Sequence, residues 1–200
     1  MGIKLVNPRQ DKATPERVIQ EVIKIGKKYR DAAEGSEFYK ELRVNHKIAE
    51  TIRDCNNFLG MGGNFKNGCL YREKGLDDFW KRGNGEEVVC DHAVPVTELV
   101  KQHKDDEVPI QILIFSPVVR ITKASNNKLT KYGKAKTGHK MGFPLYRYSH
   151  IEGMRIVTHQ GVEIPSLKKW TDGEHWELIH STEELKNVLH ELGLDNYMPQ

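Results

Sequence analysis

Two adjacent side chains, Asp91 and His92, interrupt the apolar run VVCDHAVPV at residues 88–96. A neutral imidazole is a base suited to activating water near pH 7. A carboxylate suits a hard divalent cation such as Mg²⁺. Attack of water on a phosphodiester needs both parts, a base for the proton and a cation for the charge on the phosphate and leaving oxygens. Neighbouring residues in a strand point to opposite faces, so this pair reaches separate atoms of one substrate only where the strand ends. Pro95 marks such an end, because proline has no N–H to give to a central ladder. The plain alternative is a hydrogen-bonded acid–imidazole pair at a strand end, with no chemistry.

The elements that must hold this pair follow from local patterning. VVCDHAVP is expected to be one strand. VPIQILIFSPVVRIT, 108–122, is the most apolar stretch, and Pro117 splits it so that PVVRIT forms a second strand. KASNNKLTKYG, 123–133, is then a short helix stopped by Gly133, with Asn126 and Asn127 ahead of Leu129. Residues 96–106 are also expected to be helical.

Upstream, Thr14-Pro15-Glu16 is a helix start, followed by Val18, Val22, Ile25 and Tyr29 at helical spacing. A second helix is expected from Ser36, with Phe38, Leu42, Ile48, Ile52, Cys55 and Leu59 on one face. The two would form a hairpin of scaffold helices. GMGGNFKNG, 60–68, lacks the glycine spacing of a phosphate loop and is a connection. LDDFW, 76–80, suggests a helical turn, and RGNGEE, 82–87, contains an Asn-Gly turn signal.

Downstream, 134–148 is a basic, aromatic-containing loop and MRIVTHQGVEI, 154–164, a hairpin turning at HQG. HWELIHSTEELKNVLHELGL suggests a strand and then a helix, with Ser181 and Glu184 at capping-box spacing. His139, His150 and His159 lack partners at ligand spacing and are expected to be surface or structural histidines. Trp80, Trp170 and Trp176 are expected to pack the core or interdomain contacts.

Charge is distributed unevenly. The formal net charge is +3, yet residues 108–151 contain no Asp or Glu and carry eight of the 31 basic side chains. A one-signed segment suits a polyanion, through phosphate neutralisation and counterion release; a solvated lysine-rich loop is the bland alternative. Arg120, Lys123, Lys134, Lys136, Lys140 and Arg147 are the candidate phosphate contacts, with Tyr146 and Tyr148 available to sugar, base or core.

Asp-His-x-x-Pro, followed by a strand and an Asn-bearing helix, resembles the HNH or ββα-metal (His-Me finger) endonucleases, by pattern over residues 86–150. In TKASNNKLTKYGKAKTGHKMGFPLYRY the resemblance extends to phage and mobile-element members. It implies His92 as general base, Asp91 as metal ligand, and Asn126 or Asn127 as the helix ligand, with Mg²⁺ or Mn²⁺ as cofactor and double-stranded DNA as substrate. Three departures stand out. The 93–117 stretch is longer than the usual connection and requires an insertion. The residue that would hold the second nitrogen of His92 is not evident, His103 or a backbone carbonyl being candidates. The cysteine pairs that bind zinc in many members are absent.

The expected fold is α+β: a ββα-metal core at 84–150, an N-terminal helical region at 1–83 and a C-terminal strand–helix extension at 151–200. Three cysteines without CxxC spacing exclude a four-thiolate zinc site and argue against a disulfide framework. With no apolar N-terminal run and no membrane-length stretch, a cytoplasmic, reducing setting is expected. The functional expectation is a metal-dependent DNA endonuclease of homing or nicking type. A type II restriction enzyme with the same core and a non-catalytic nucleic-acid-binding protein are the alternatives. Oligomeric state, a homodimer included, is left open.

Overall fold

The computed structural model describes residues 37–59, 69–76, 87–106, 108–133 and 138–199. The expected helix at 14–30, the 60–68 connection, Trp80 with the turns around it, and both Lys134 and Lys136 lie outside those residues.

The chain is α+β. In order, the elements are α1 (Glu37–Phe58), β1 (Tyr71–Glu73), β2 (Val88–His92), α2 (Val96–Lys104), α3 (Ile110–Leu113), β3 (Val118–Thr122), α4 (Lys123–Lys131), a 3-10 turn (Tyr146–His150), β4 (Ile156–Thr158), α5 (Asp172–His180) and α6 (Glu183–Glu191). One mixed sheet has the order β2-β3-β1-β4. It draws strands from all three stretches expected as separate regions.

β2 and β3 are the two Val-rich strands expected. They pair antiparallel, from Val88 opposite Thr122 to His92 opposite Val118. Beyond the last pair, Ala93 N–H donates to the Pro117 carbonyl at 2.9 Å. That bond closes the base of the inserted stretch, which holds α2 and α3. Pro95 and Pro109 stand at the N-caps of these helices, where a missing N–H costs nothing.

β3 passes directly into α4. Thr122 ends the strand and caps the helix, its side chain accepting from Ser125 N–H at 3.1 Å. Glu73 of β1 clamps the same junction. Its carboxylate accepts from Thr122 N–H at 2.8 Å and from the Ser125 hydroxyl at 2.8 Å. β1, three residues long, pairs parallel with β3 and antiparallel with β4. The expected hairpin at 154–164 forms: Val162 accepts from Thr158 N–H at 2.8 Å, and Gly161 takes the positive φ of 85° that the turn requires.

The C-terminal region differs from expectation. Residues 172–180 are helix, not strand. Thr171 accepts from Glu174 N–H and the Glu174 carboxylate accepts from Thr171 N–H, a complete capping box. Burial of His175, Trp176, Leu178 and Ile179 follows the helical period. Ser181 is the C-cap of α5 rather than the start of a box, and α6 begins after Thr182 with no side-chain cap.

The main core runs from Cys55 and Leu59 of α1 through Tyr71, Val119, Ile121 and Leu129 to Leu185, Val188 and Leu189. Each fully buried aliphatic side chain contributes about 1.5–3 kcal/mol. A second cluster joins Ile48 and Ile52 to Val96, Leu99, Val100 and Leu113, fixing α1 against the inserted helices. A polar chain threads the main core. Trp170 Nε1 donates to the Tyr71 hydroxyl at 3.1 Å, Tyr71 bonds His175 Nδ1 at 2.8 Å, and His175 Nε2 bonds the Phe115 carbonyl at 2.8 Å. No described helix is long and apolar enough to cross a membrane.

Candidate active site at the end of strand β2

Asp91 and His92 occupy the last two positions of β2 and point to opposite faces of the sheet. Asp91 shares its face with Val119, and His92 shares the other with Val118. Their partners come from different parts of the chain.

Asp91 faces the 3-10 turn. Arg147 Nη2 donates to Asp91 Oδ2 at 2.5 Å, and the Tyr148 hydroxyl donates to the same oxygen at 2.8 Å. Arg147 is 2% exposed and Asp91 19%. Both bonds end on Oδ2 rather than Oδ1, so the carboxylate is held in one orientation with Oδ1 as its second donor oxygen. Burial pushes the Asp91 carboxyl above the ordinary carboxylate range and outweighs the opposing pull of Arg147 and Tyr148.

His92 faces α1. Its Nε2 is 2.9 Å from Asn56 Oδ1, and Asn56 Nδ2 donates to the Ile114 carbonyl at 2.5 Å. The Ile114 bond settles which end of the amide is which, since only the nitrogen can donate to a carbonyl. Asn56 therefore presents its oxygen to His92, and Nε2 carries the proton. Nδ1 is left as the nitrogen with the lone pair. Burial, then the charges of Arg53 and Arg147, lower the imidazole from 6.5 to about 4, so the ring is neutral at pH 7.

Asn126 and Asn127 lie on α4. The helix turns Ser125 and Leu129 inward; Asn126 is half-buried on the flank and Asn127 is exposed. Among the described residues, the hydrogen bonds at Asp91 Oδ2 and His92 Nε2 involve Arg147, Tyr148 and Asn56 and neither helix asparagine.

Among the described residues, part of the basic segment is occupied within the molecule and Lys128, Lys131 and Lys140 are exposed. Arg147 is buried against Asp91. Arg120 is 5% exposed on β3, opposite Cys90. Lys123 pairs with Glu87. Lys140 is exposed, with Nζ 4.2 Å from the Phe143 ring centroid and 5.6 Å from that of Tyr146. Tyr148 is core and bonds Asp91, whereas Tyr146 is half-buried. His103 Nδ1 bonds the Val108 carbonyl at 2.8 Å and is not the partner of His92. His139 sits 3.9 Å from Glu98, His150 stacks edge-on to Tyr146, and His159 is buried.

Asn56, Arg53 and the Arg147–Asp91 pairing do not follow from sequence pattern. Asn56 carries one signal: it is a polar residue set in the stripe of Ile52, Cys55 and Leu59. A pair of thiols lies close by. Cys69 Sγ and Cys90 Sγ are 3.8 Å apart, with the half-buried Cys90 thiol held below its ordinary range, first by its bond to Cys69.

Asp91 Oδ1 and the side-chain oxygen of Asn126 or Asn127 are the hard oxygens expected of a cation site here. No group of three or more His, Cys, Asp or Glu that could hold a metal ion occurs among the described residues. No protein-family model matches the chain, and neither does any curated protein or solved structure.

Proposed function

We propose that the protein is a divalent-metal-dependent endonuclease that hydrolyses DNA phosphodiester bonds, with the β2–β3–α4 unit acting as a ββα-metal core. The supporting observation is the Asn56–His92 contact. It leaves a neutral imidazole with its basic Nδ1 unoccupied by that bond, at a strand end whose preceding residue holds an oriented carboxylate on the opposite face. His92 Nδ1 takes the proton from the attacking water. Asn56 holds the ring while the imidazolium forms, and Arg147 with Tyr148 keep Asp91 Oδ1 turned outward. Asp91 and Asn126, or Asn127 in its place, would hold Mg²⁺ or Mn²⁺. When bound, such a cation stabilises charge on the phosphate and leaving oxygens.

The buried Arg147–Asp91 pair favours a second reading, a non-catalytic nucleic-acid-binding protein in which Asp91 serves only to neutralise Arg147. Incubation of supercoiled plasmid with Mg²⁺ or Mn²⁺ separates the two. Under the endonuclease reading the wild type nicks or linearises the plasmid, and His92→Ala loses about 10²–10⁴-fold in rate while retaining DNA affinity. Equal rates for the two proteins remove His92 as the base. Binding without cleavage under either metal selects the second reading. Homing, nicking and restriction roles share this core and differ in base readout.

A further inference from the structure

Two of the three cysteines meet across the sheet. Cys69 lies two residues ahead of β1, and Cys90 is the middle residue of β2, one before Asp91. β3 separates β1 from β2, yet the two sulfurs are 3.8 Å apart. Cys69 is buried and Cys90 half-buried. One sulfur is therefore within reach of solvent, with the other held behind it. Arg120, opposite Cys90 on β3, sets its charge beside both.

The contact between the thiols has a direction. The Cys90 thiol is lowered, first by its bond to Cys69 and further by Arg120, against burial and the charge of Asp91. The Cys69 thiol is raised well above its ordinary range, first by the same bond and then by burial. The opposite shifts place the shared proton on Cys69, which donates to the Cys90 sulfur. The half-buried sulfur thus has the thiolate character, and the thiolate is the nucleophile. A low, accessible thiol poised next to a second one is the arrangement of oxidation-sensitive cysteines. Cys55 provides the contrast: it is fully buried on α1, and burial, then Asp54, push its thiol up to about 12.

We propose that Cys69 and Cys90 form a reversible oxidation site, closing to an internal disulfide when a hydroperoxide meets Cys90. The Cys90 thiolate attacks one peroxide oxygen. An S–O bond forms, the O–O bond breaks, and the hydroxide that leaves takes a proton from solvent. Cys69 then attacks the Cys90 sulfenic sulfur. The S–S bond forms, the S–O bond breaks, and the hydroxyl leaves with the Cys69 proton as water. Two electrons pass from the sulfur pair to the peroxide, and a dithiol reductant returns them. The sulfurs close from 3.8 Å to about 2.05 Å, which ties the middle of β2 to the approach of β1. None of this depends on the endonuclease reading, since the bridge needs only the two sulfurs and the oxidant.

The test treats the full chain at pH 7 with hydrogen peroxide in EDTA, blocks the remaining thiols with N-ethylmaleimide in denaturant, and maps the peptides by mass spectrometry. The wild type should give a linked Cys69–Cys90 peptide pair, lighter by two hydrogens, with Cys55 alone alkylated. Dithiothreitol before blocking should restore alkylation at all three cysteines. Cys69→Ala should stop at the sulfenic acid, trapped by dimedone on Cys90, and Cys90→Ala should leave Cys69 unoxidised. Alkylation of all three cysteines after peroxide overturns the proposal. So does a bridge between two chains, a bridge containing Cys55, or oxidation of Cys90 with Cys69 still free. The wild-type map needs no substitution, so it decides the matter even where a variant fails to fold.

Discussion

Asn56 accepts a hydrogen bond from His92 at 2.9 Å while donating to the Ile114 carbonyl, so one amide on α1 fixes the protonation pattern of an imidazole 36 residues further along the chain. Asn56→Ala should leave the ring free to exchange tautomers and lower the cleavage rate about 10- to 100-fold, as for other orienting partners. Imidazole ¹⁵N shifts in the wild type should report a protonated Nε2 at pH 7. A protonated Nδ1 would defeat the role assigned to Asn56.

The Arg147–Asp91 pair separates structure from activity. Asp91→Ala leaves a buried guanidinium without its carboxylate and should cost about 3–5 kcal/mol of stability. The exposed Lys74–Glu163 pair should contribute far less, being screened by water. Asp91→Ala combined with Arg147→Leu should recover much of that stability, measured by urea unfolding, without restoring cleavage. Recovery of both would show that Asp91 has only a structural part.

His175 gives the protein an acid limit. Burial lowers it from 6.5 to about 4 against the opposing bond to Phe115. The unfolded chain binds a proton below about 6.5, whereas the folded chain does so only near 4. The stability it supplies is therefore present above pH 6.5 and lost as pH falls toward 4, about 3 kcal/mol in full. Urea midpoints measured from pH 7 to pH 4 should fall, and His175→Gln should flatten that slope whatever its effect at pH 7. An unchanged slope would refute the assignment.

The two helix asparagines should separate by orientation. Asn126 is half-buried beside the inward face of α4, and Asn127 is exposed among Lys128 and Lys131. Asn126→Ala should reduce metal-dependent cleavage at least ~10-fold, and Asn127→Ala should leave it within about twofold. The reverse order would transfer the ligand role to Asn127.

Local pattern sufficed for the elements that carry Asp91, His92 and the asparagines. Val88, Val89, Val118 and Val119 read as strands, and Ile48, Ile52, Cys55 and Leu59 read as one helical face; all four of the latter are fully buried. Short or ambiguous segments were harder. Tyr71–Glu73 is a strand only because β3 and β4 flank it. HWELI reads equally as strand or helix until Thr171 and Glu174 are seen to cap it. In the basic segment, local charge does not disclose which cations the fold pairs. Arg147 has no acid near it in sequence, but the fold brings it to Asp91, 56 residues away.

The clamp of Glu73 on the Thr122–Ser125 junction bears on whether this strand–strand–helix unit is portable. A fragment starting at residue 84 keeps Asp91, His92 and both helix asparagines. It loses the carboxylate that anchors the start of α4, the amide that sets the imidazole, and the strand that covers one edge of β3. A bare, apolar edge of that kind pairs with other chains. Transplanting the unit into another scaffold therefore requires Asn56 and Tyr71–Glu73 to travel with it.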